Sequence, residues 1–513
     1  MKNKTKKKLA PGWRCCIGWM VFTAGVTLLA ATLWEIDELN VGISEIIFTL
    51  TSPLEGADSG IAAGALRKCL PWVIGMSIAY GGMLVFFRRF NRVNFVLKIT
   101  AWSHTFRVSS EKIFKCILVL LPIMTWVLAC FTIERNLFFT SWVRSRFDTT
   151  SIYEDYFVWP HDVAVIADGK PKNLICIYLE SMETTYASFD QGGFQNVNLM
   201  PNLTKLAYEG VSFGTEPGGR LGGCINVTGT GWTSAALMAT TSGVPFCFPM
   251  SDTTEVGVST QFAPNLETLG TILQENGYYQ EFLCGSNATF GGRKTFFEEH
   301  GNYDIYDYYK AISTERIPGD YHVWWGFEDR ILYEIAKEEL TRLSRMEEPF
   351  NLTMLTVDTH FPDGYVCSLC DEGKYAVPLA SIVECADRQL YEFVEWCKTQ
   401  DFYEDSVIVI LGDHPRMDTL LVEGVDMADR RSYNCFLNAQ MPAETADFSE
   451  RMFTSMDMFP TILSAMGFHV QGDRLGLGVN LFSEETTLIE QFGRDWLNTE
   501  LQKTSPFYEQ HFY

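Results

Sequence analysis

The chain has 513 residues, of which 47% are hydrophobic, so it is long enough for one large domain with an appendage. Its formal net charge at pH 7 is -23. Because a nucleic-acid backbone is bound by clustered basic side chains, this acidic balance excludes nucleic acid as the expected partner.

Three runs near the N-terminus have the length and composition of membrane spans. Each contains 18 residues and no charged side chain: Ile17–Trp34, Leu70–Phe87 and Cys116–Ile133. A helix needs roughly 17–25 apolar residues to cross the hydrocarbon layer. We therefore predict three transmembrane helices. A signal peptide is the alternative for the first run, but no small-residue cleavage site follows it.

The charges that flank these runs predict the orientation. Basic residues dominate the first eight positions and the connection before the third run, whereas the connection after the first run is mainly acidic. Positive segments stay in the cytoplasm. We therefore expect a multi-pass membrane protein with everything after Ile133 on the extracytoplasmic side.

Beyond the spans, apolar strand-like runs alternate with helix-like segments. The predicted strands are Asn173–Leu179, Tyr279–Cys284, Leu352–Val357 and Ser406–Leu411. The predicted helices are Pro201–Glu209, Ser234–Thr241, Asn265–Asn276, Glu328–Ser344 and Leu379–Thr399. Continuous apolar strands between helices indicate an α/β domain around a mostly parallel sheet. We expect a membrane domain at 1–135, a linker at 136–172, a catalytic domain at 173–485, and a C-terminal helix and tail at 486–513.

Polar side chains follow each predicted strand at the edge where α/β sheets bind ligands. Glu180 ends the first strand, Asp413-His414 the last, and Asp358-Thr359-His360 the third, while Arg293 follows the second strand shortly after Asn287. Adjacent Asp and His suit a divalent cation with mixed oxygen and nitrogen ligands. The alternatives are that Glu180 caps a helix, that His360 is structural and that Arg293 is a surface charge.

A candidate nucleophile lies in the stretch Gly229–Thr240. Glycines flank Thr230, and Thr233 stands at the mouth of a helix-like Ala/Leu/Met run. A hydroxyl there faces unpaired backbone N–H groups and the positive end of the helix dipole, which favours a phosphate. It needs a base or a metal to become a good nucleophile. The alternative is a simple N-cap.

Two cysteine pairs are candidate disulfides in the expected exterior part, Cys370–Cys385 and Cys224–Cys247. Free buried thiols are the alternative, because the sequence does not determine connectivity. The aromatic cluster Tyr321–Phe327 is expected to form core or pocket wall.

Taken together, these motifs resemble the alkaline-phosphatase and sulfatase superfamily, in the branch that holds lipoteichoic acid synthases and phosphoglycerol transferases. The resemblance rests on Asn173–Ser181, Gly229–Pro245, Phe282–Arg293, Thr356–Tyr365 and Val407–His414, with a weaker match at Asn40–Ala57. The sulfatase nucleophile signature is absent, since the segment Cys247–Ser251 lacks its arginine.

The resemblance implies that Glu180, Thr233, Asp413 and His414 bind one divalent ion, commonly Mn²⁺, with Mg²⁺ or Zn²⁺ as alternatives. It further implies that Thr233 is the nucleophile and that Arg293 and His360 hold the phosphate oxygens and serve catalysis. We place Trp232 beside them as a substrate-binding residue.

The implied reaction is transfer of glycerol phosphate from phosphatidylglycerol to a glycan through a covalent threonine adduct. Lipoteichoic acid synthases have a histidine where Cys284 stands here, which favours the glucan-type branch over polymerisation. Three alternatives stay open: phosphoethanolamine transfer to lipid A or another glycan, hydrolysis with water as acceptor, and a membrane-anchored sensor or glycan-binding module.

Overall fold

The computed structural model describes residues 12–39, 41–51, 59–90, 96–101, 104–167, 169–214, 219–247, 261–440 and 450–513. The chain forms two compact units. The first comprises Met1–Ile43 with Asp58–Trp142, and the second comprises Ser44–Ala57 with Val143–Tyr513. The lysines of the first eight positions, which entered the orientation argument, lie outside the described residues.

The first unit contains the membrane helices. The elements up to Leu137 are α1 (Gly12–Glu38), α2 (Ile43–Thr51), α3 (Ser59–Phe90), the antiparallel hairpin β1 (Val96–Ala101) and β2 (His104–Ser109), and α4 (Ser110–Leu137). Of these, α2 belongs to the second unit from Ser44 onward. Three helical segments are long and apolar enough to cross a membrane: Gly12–Glu38, Ala63–Phe86 and Lys115–Leu137. The prediction of three spans is confirmed. Phe22 of α1 stacks on Tyr80 of α3, whose hydroxyl donates to the Leu118 carbonyl of α4 at 3.2 Å.

The second unit is an α/β domain. Its helices are α5 (Phe139–Ser145), α6 (Ile152–Tyr156), α7 (Pro201–Glu209), α8 (Thr233–Ser242), α9 (Leu269–Glu275), α10 (Arg293–Glu299), α11 (Tyr308–Ser313), α12 (Asp329–Leu343), α13 (Pro378–Lys398), α14 (Met458–Met466), α15 (Leu488–Phe492), α16 (Arg494–Gln502) and α17 (Pro506–His511). Its strands are β3 (Val165–Ala167), β4 (Asn173–Leu179), β5 (Cys224–Ile225), β6 (Tyr279–Cys284), β7 (Asp304–Tyr306), β8 (Phe350–Leu355), β9 (Ser406–Gly412), β10 (Arg431–Ser432), β11 (Asn434–Leu437), β12 (Phe468–Val470), β13 (Arg474–Leu475) and β14 (Gly478–Val479).

Six of these strands form the central sheet, in the order β11-β9-β4-β8-β6-β7. β11 runs antiparallel to β9, and the other four pairings are parallel. The predicted α/β fold with a mostly parallel central sheet is confirmed.

Hydrophobic cores cover both faces of this sheet. In β4, Leu174, Cys176 and Tyr178 belong to one core, and Ile175, Ile177 and Leu179 to the other. Successive side chains of a strand point to opposite faces, so a strand buried on both faces is mainly apolar. This explains the apolar runs of β4 and β9. β6 and β8 also carry buried polar side chains, which have partners: the Asn351 amide donates to Gln280 Oε1 at 3.0 Å.

Most predicted elements have the bounds we expected. β4, β6 and α7 agree with the predicted bounds, whereas β8 begins and ends two residues before the predicted third strand. The expected C-terminal helix is divided into α15, α16 and α17, because Gly493 and Pro506 interrupt it. The edge strands β7 and β11 were not predicted, since they have only three and four residues.

The expected disulfides are not formed, and this is a correction. All 14 cysteines are free thiols. The Sγ of Cys247 contacts the Tyr153 hydroxyl at 3.6 Å and the Leu501 carbonyl at 3.7 Å rather than Cys224. Cys370 and Cys385 do approach each other, but within a cluster that also contains Cys367.

Candidate active site

The register of the sheet brings the polar ends of the strands together. Leu179 pairs with Gly412 across β4 and β9, so Glu180 and Asp413 follow at the same level. A Cβ at Gly412 would lie 1.9 Å from the Met182 carbonyl oxygen. Only glycine therefore allows the end of β9 to approach the turn after Glu180 this closely.

Glu180, Asp413 and His414 form one buried cluster. Their ligand atoms all lie within 4.8 Å of one another. Asp413 Oδ1 accepts hydrogen bonds from the backbone N–H of Ser181 at 2.8 Å and of His414 at 2.7 Å. Its Oδ2 is buried and has no hydrogen-bond partner among the described residues. His414 Nδ1 lies 2.9 Å from the Pro415 carbonyl and can donate to it, which leaves Nε2 as the ligand nitrogen facing the carboxylates.

Thr233 joins this cluster from the other side of the cleft. It is the first residue of α8, and the N-cap is Trp232, so the reading of Thr233 as the N-cap is not confirmed. Its Oγ1 lies 3.3 Å from Glu180 Oε2 and 3.4 Å from His414 Nε2. The hydroxyl therefore stands at the N-terminus of a buried helix and beside two of the candidate ligands.

The charges of the cluster are mutually dependent. Burial raises the pKa of Asp413 to about 7, and the charge of Glu180 adds to this effect. Burial also opposes ionisation of Glu180, but His360, His414 and the hydroxyls of Ser181 and Thr233 leave its pKa below the usual value. Burial disfavours protonation of His414, yet Asp413 and Glu180 together raise its pKa.

These residues fit a divalent cation. Two carboxylates in a buried site repel each other and are costly unless a cation pairs with them. The Asp413 Oδ2, which lacks a hydrogen-bond partner among the described residues, lies 3.3 Å from His414 Nε2, so a carboxylate oxygen and the ligand nitrogen converge on one point. Two carboxylates, an imidazole and a hydroxyl make an oxygen-rich ligand set with one nitrogen, which suits Mn²⁺, Mg²⁺ or Zn²⁺.

His360 lies close enough to interact electrostatically with Glu180 and His414. Burial lowers its pKa, and Glu180 opposes this effect. Its ring packs edge-on against Trp325 with a centroid distance of 4.7 Å. The aromatic cluster around Trp325 thus forms a wall of the site, as predicted.

Arg416 holds the loop that carries His360, and the sequence did not reveal this role. The Arg416 side chain is 1% exposed and donates to the carbonyls of Thr359 and Pro362, on either side of His360 and Phe361. Its Nε donates to Asp418 at 2.8 Å. The only indication in the sequence was that Arg416 follows the candidate ligand His414 by two residues. The carbonyls that it binds belong to a different loop.

Arg293 is buried at the start of α10 and is held by its own loop. Its Nε donates to the Phe290 carbonyl at 2.9 Å and its Nη2 to the Asn287 carbonyl at 2.8 Å. The loop is joined to α8, since Ser234 Oγ donates to the Gly291 carbonyl at 2.8 Å. Phe290 also packs on Trp325, so Arg293 and His360 are linked through two aromatic residues, Phe290 and Trp325. Arg293 is not a surface charge.

Trp232 is 9% exposed and packs edge-on against Phe246 at a centroid distance of 5.5 Å. Trp232 directly precedes Thr233 in the chain, and its side chain belongs to one of the two hydrophobic cores. Its contacts in the described structure are those of a packing residue, and its substrate-binding role stays a prediction. Cys284 is buried, and its thiol donates to the Ser286 carbonyl at 3.3 Å.

A hydroxyl at a helix N-terminus, next to a carboxylate and imidazole cluster at the carboxyl edge of a parallel sheet, defines the alkaline-phosphatase and sulfatase class of proteins. The family comparison agrees. Residues 172–468, more than half of the chain, match the family described as Sulfatase, and the chain belongs to that family.

Curated relatives include phosphoglycerol transferase I of Salmonella choleraesuis, 30% identical over 338 residues, and phosphoglycerol transferase I of Xanthomonas campestris, 30% identical over 321 residues. The alignments cover 65% and 62% of this chain but 42% and 43% of those proteins. The chain thus spans less than half the length of the curated relatives it matches.

Solved structures also align with the chain. The lipoteichoic acid synthase LtaP of Listeria monocytogenes is 19% identical with a TM-score of 0.46, covering 62% of this chain and 79% of that one. The phosphoglycerol transferase GacH of Streptococcus pyogenes is 12% identical with a TM-score of 0.41, covering 69% and 87%.

Proposed function

We propose that this protein transfers glycerol phosphate from phosphatidylglycerol to an extracytoplasmic glycan through a covalent adduct on Thr233. The observation that carries the proposal is the position of the Thr233 hydroxyl, 3.3 Å from Glu180 and 3.4 Å from His414. A binding module or sensor has no need of an alcohol beside a buried cation site. The relatives named phosphoglycerol transferase I support glycerol phosphate as the transferred group.

In this proposal Glu180, Thr233, Asp413 and His414 hold one divalent ion, which we expect to be Mn²⁺. When bound, the ion lowers the pKa of the Thr233 hydroxyl and offsets negative charge on the phosphoryl oxygens. Glu180 Oε2, which accepts the hydrogen bond of the hydroxyl, is the nearest described acceptor for its proton.

The first step forms a bond between Thr233 Oγ1 and phosphorus and breaks the bond between phosphorus and the diacylglycerol oxygen. Diacylglycerol leaves with a proton, and a glycerophosphoryl group remains on the threonine. In the second step a glycan hydroxyl attacks the same phosphorus in line, and Thr233 recovers its proton.

The remaining residues position the phosphate and move the protons. Arg293 retains donors beyond its two loop carbonyls and can grip the phosphate oxygens. His360, whose pKa is lowered by burial, can accept a proton from the attacking glycan hydroxyl near neutral pH. Trp232 would contact the glycerol moiety.

The three apolar helices keep the active site at the bilayer that contains the donor lipid, which raises its effective concentration. We propose the bacterial inner membrane with the second unit outside, following the distribution of loop charges. The partners are then phosphatidylglycerol and a glycan.

The experiment places the purified full chain in vesicles that contain phosphatidylglycerol with a labelled headgroup, with Mn²⁺ and candidate glucans. We expect diacylglycerol release, labelled glycan, and a glycerophosphoryl mass increment on the peptide containing Thr233 when the acceptor is omitted. Thr233→Ala should give none of these, while Thr399→Ala, at an exposed threonine that follows α13, serves as the control.

The same measurement separates the alternatives. A phosphoethanolamine increment from phosphatidylethanolamine vesicles would reassign the donor, and free glycerol phosphate in the presence of glycan would reassign the reaction to hydrolysis. Diacylglycerol release by Thr233→Ala at an unchanged rate would refute the covalent adduct.

A further inference from the structure

We propose that Cys367, Cys370 and Cys385 form a zinc site, distinct from the active site, that ties the segment after His360 to α13. The three sulfurs lie within 4.8 Å of one another. Cys367 and Cys370 have the C-x2-C spacing, and Cys385 comes from the second turn of α13. We call these three residues the thiol cluster.

The distances between the sulfurs are those that a tetrahedral ion requires. Cys367 Sγ lies 3.7 Å from Cys370 Sγ and 3.8 Å from Cys385 Sγ. A zinc–sulfur bond of about 2.3 Å at tetrahedral angles places two sulfur ligands about 3.8 Å apart. A disulfide places them only about 2.05 Å apart. The geometry therefore matches three ligands around a centre better than a bonded pair.

Two hydrogen-bond donors from outside the thiol cluster point at its sulfurs. The backbone N–H of Leu369, two residues after Cys367, donates to the Cys367 Sγ at 3.4 Å. The Arg388 guanidinium donates to Cys385 Sγ at 3.6 Å and also binds the Leu369 carbonyl. Three thiolates on Zn²⁺ leave one net negative charge, which this cation offsets.

The side chain of Gln389 occupies the fourth corner. Its amide nitrogen lies 3.3 Å from Cys385 Sγ and 3.8 Å from Cys367 Sγ. Its Oε1 is buried and has no hydrogen-bond partner among the described residues. A half-turn of the amide exchanges the two atoms and presents the orphaned oxygen to the ion.

The site would act on the loop that carries His360. Cys367 is seven residues after His360, and in the described structure the intervening segment is mostly without helix or strand. Zinc would join this segment to α13, a helix with thirteen buried residues. The loop that carries His360 would then be restrained at its C-terminal end. Arg416 holds the same loop from its near end.

The first test measures zinc in the full chain purified in detergent from zinc-supplemented cells. We expect about one zinc per chain that Asp413→Asn retains and that Cys367→Ser or Cys370→Ser loses. Cys397→Ser, a substitution elsewhere in α13, is the matched control and should retain the zinc. Loss of zinc with Asp413→Asn but not with Cys367→Ser would overturn the proposal.

The second test uses the wild-type chain and does not depend on a variant that folds. Replacing the zinc by Co²⁺ should produce an intense thiolate-to-metal absorption band, which the active site cannot produce because its candidate ligands contain no sulfur. The thiols of the cluster should react with a thiol reagent only after a chelator is added. A disulfide between any two of them, or thiols that react equally fast with and without zinc, would overturn the proposal.

Discussion

Oγ1 of Thr233 lies 3.4 Å from Nε2 of His414, although the two residues are 181 positions apart in the chain. The start of a buried helix and the end of a central strand meet at this point. The two residues come from different parts of the sequence, so the contact exists only when the sheet and α8 have packed together. Changes at either residue should therefore affect chemistry more than folding.

The hydroxyl of Thr233 is the first target. Thr233→Ser keeps an oxygen and should retain measurable activity, whereas Thr233→Ala should lower the rate of diacylglycerol release by at least about 10³-fold. Both variants should keep the wild-type melting temperature, because the Thr233 side chain is only partly buried and its hydroxyl has no other described partner. Equal activity of the serine and alanine variants would contradict the assigned role.

Asp413→Asn should raise the stability of the metal-free protein and abolish its stabilisation by the cation. The folded-state pKa of Asp413 is raised to about 7, above its unfolded value, so in the absence of metal its ionisation destabilises the fold increasingly as pH rises to 7. The metal-free variant should therefore melt higher than the metal-free wild type at pH 8. Added Mn²⁺ at 100 times its Kd should stabilise only the wild type, by about 2.7 kcal/mol. A variant stabilised equally by Mn²⁺ would exclude Asp413 as a ligand.

Gly412→Ala should disrupt the site through the backbone. The added Cβ would lie 1.9 Å from the Met182 carbonyl oxygen and 2.9 Å from the Tyr433 nitrogen, and both are backbone atoms that cannot move alone. We expect a loss of roughly 3 kcal/mol or more in stability, or failure to fold. Gly319→Ala, where the new Cβ would lie 4.0 Å from a side-chain methyl of Ile312, is the control. The melting temperatures of both variants test this prediction, and equal values would contradict it.

Arg416→Lys should slow the reaction without weakening the metal site. Three separate guanidinium nitrogens reach Asp418, Thr359 and Pro362, and the single nitrogen of a lysine cannot span these three positions, so the loop carrying His360 should lose its position. We expect kcat to fall roughly tenfold or more, with the affinity for Mn²⁺ unchanged. Arg474→Lys, at an exposed ion pair with Glu485, should have no effect. Unchanged kcat for Arg416→Lys would show that the loop does not need this anchor.

His300 should make the fold sensitive to acid. It is 2% exposed, its Nε2 lies 2.8 Å from the Phe262 carbonyl, and burial lowers its pKa below the usual value of 6.5. Below pH 6.5 the unfolded chain binds a proton that the folded chain resists, so stability falls with acidification by up to about 1.4 kcal/mol per pH unit. His300→Gln keeps a donor but does not titrate. The difference in melting temperature between wild type and variant should therefore shrink from pH 7.5 to pH 5.5, and a constant difference would contradict this origin.

The sequence by itself determined the three membrane spans, the central strands and the residues that end them. Strands buried on both faces are mainly apolar, and a polar residue directly after such a run marks the edge where ligands bind. Glu180, Asp413 and His414 could therefore be found from local pattern, and Gly412 could be read as a close backbone approach. The short edge strands β7 and β11 have too few residues for any such pattern.

Only the tertiary structure decided the relationships that depend on several distant segments. Nothing in the sequence around Arg416 indicates that it holds the loop carrying His360. That role follows from its hydrogen bonds to carbonyls in the other loop. The sequence did not determine which cysteines of the thiol cluster lie together. The packing of α13 against the loop after His360 brings all three sulfurs together. Local sequence specifies which residue types an element offers, whereas the neighbours of each side chain depend on how the elements pack, and the chemistry of a site depends on those neighbours.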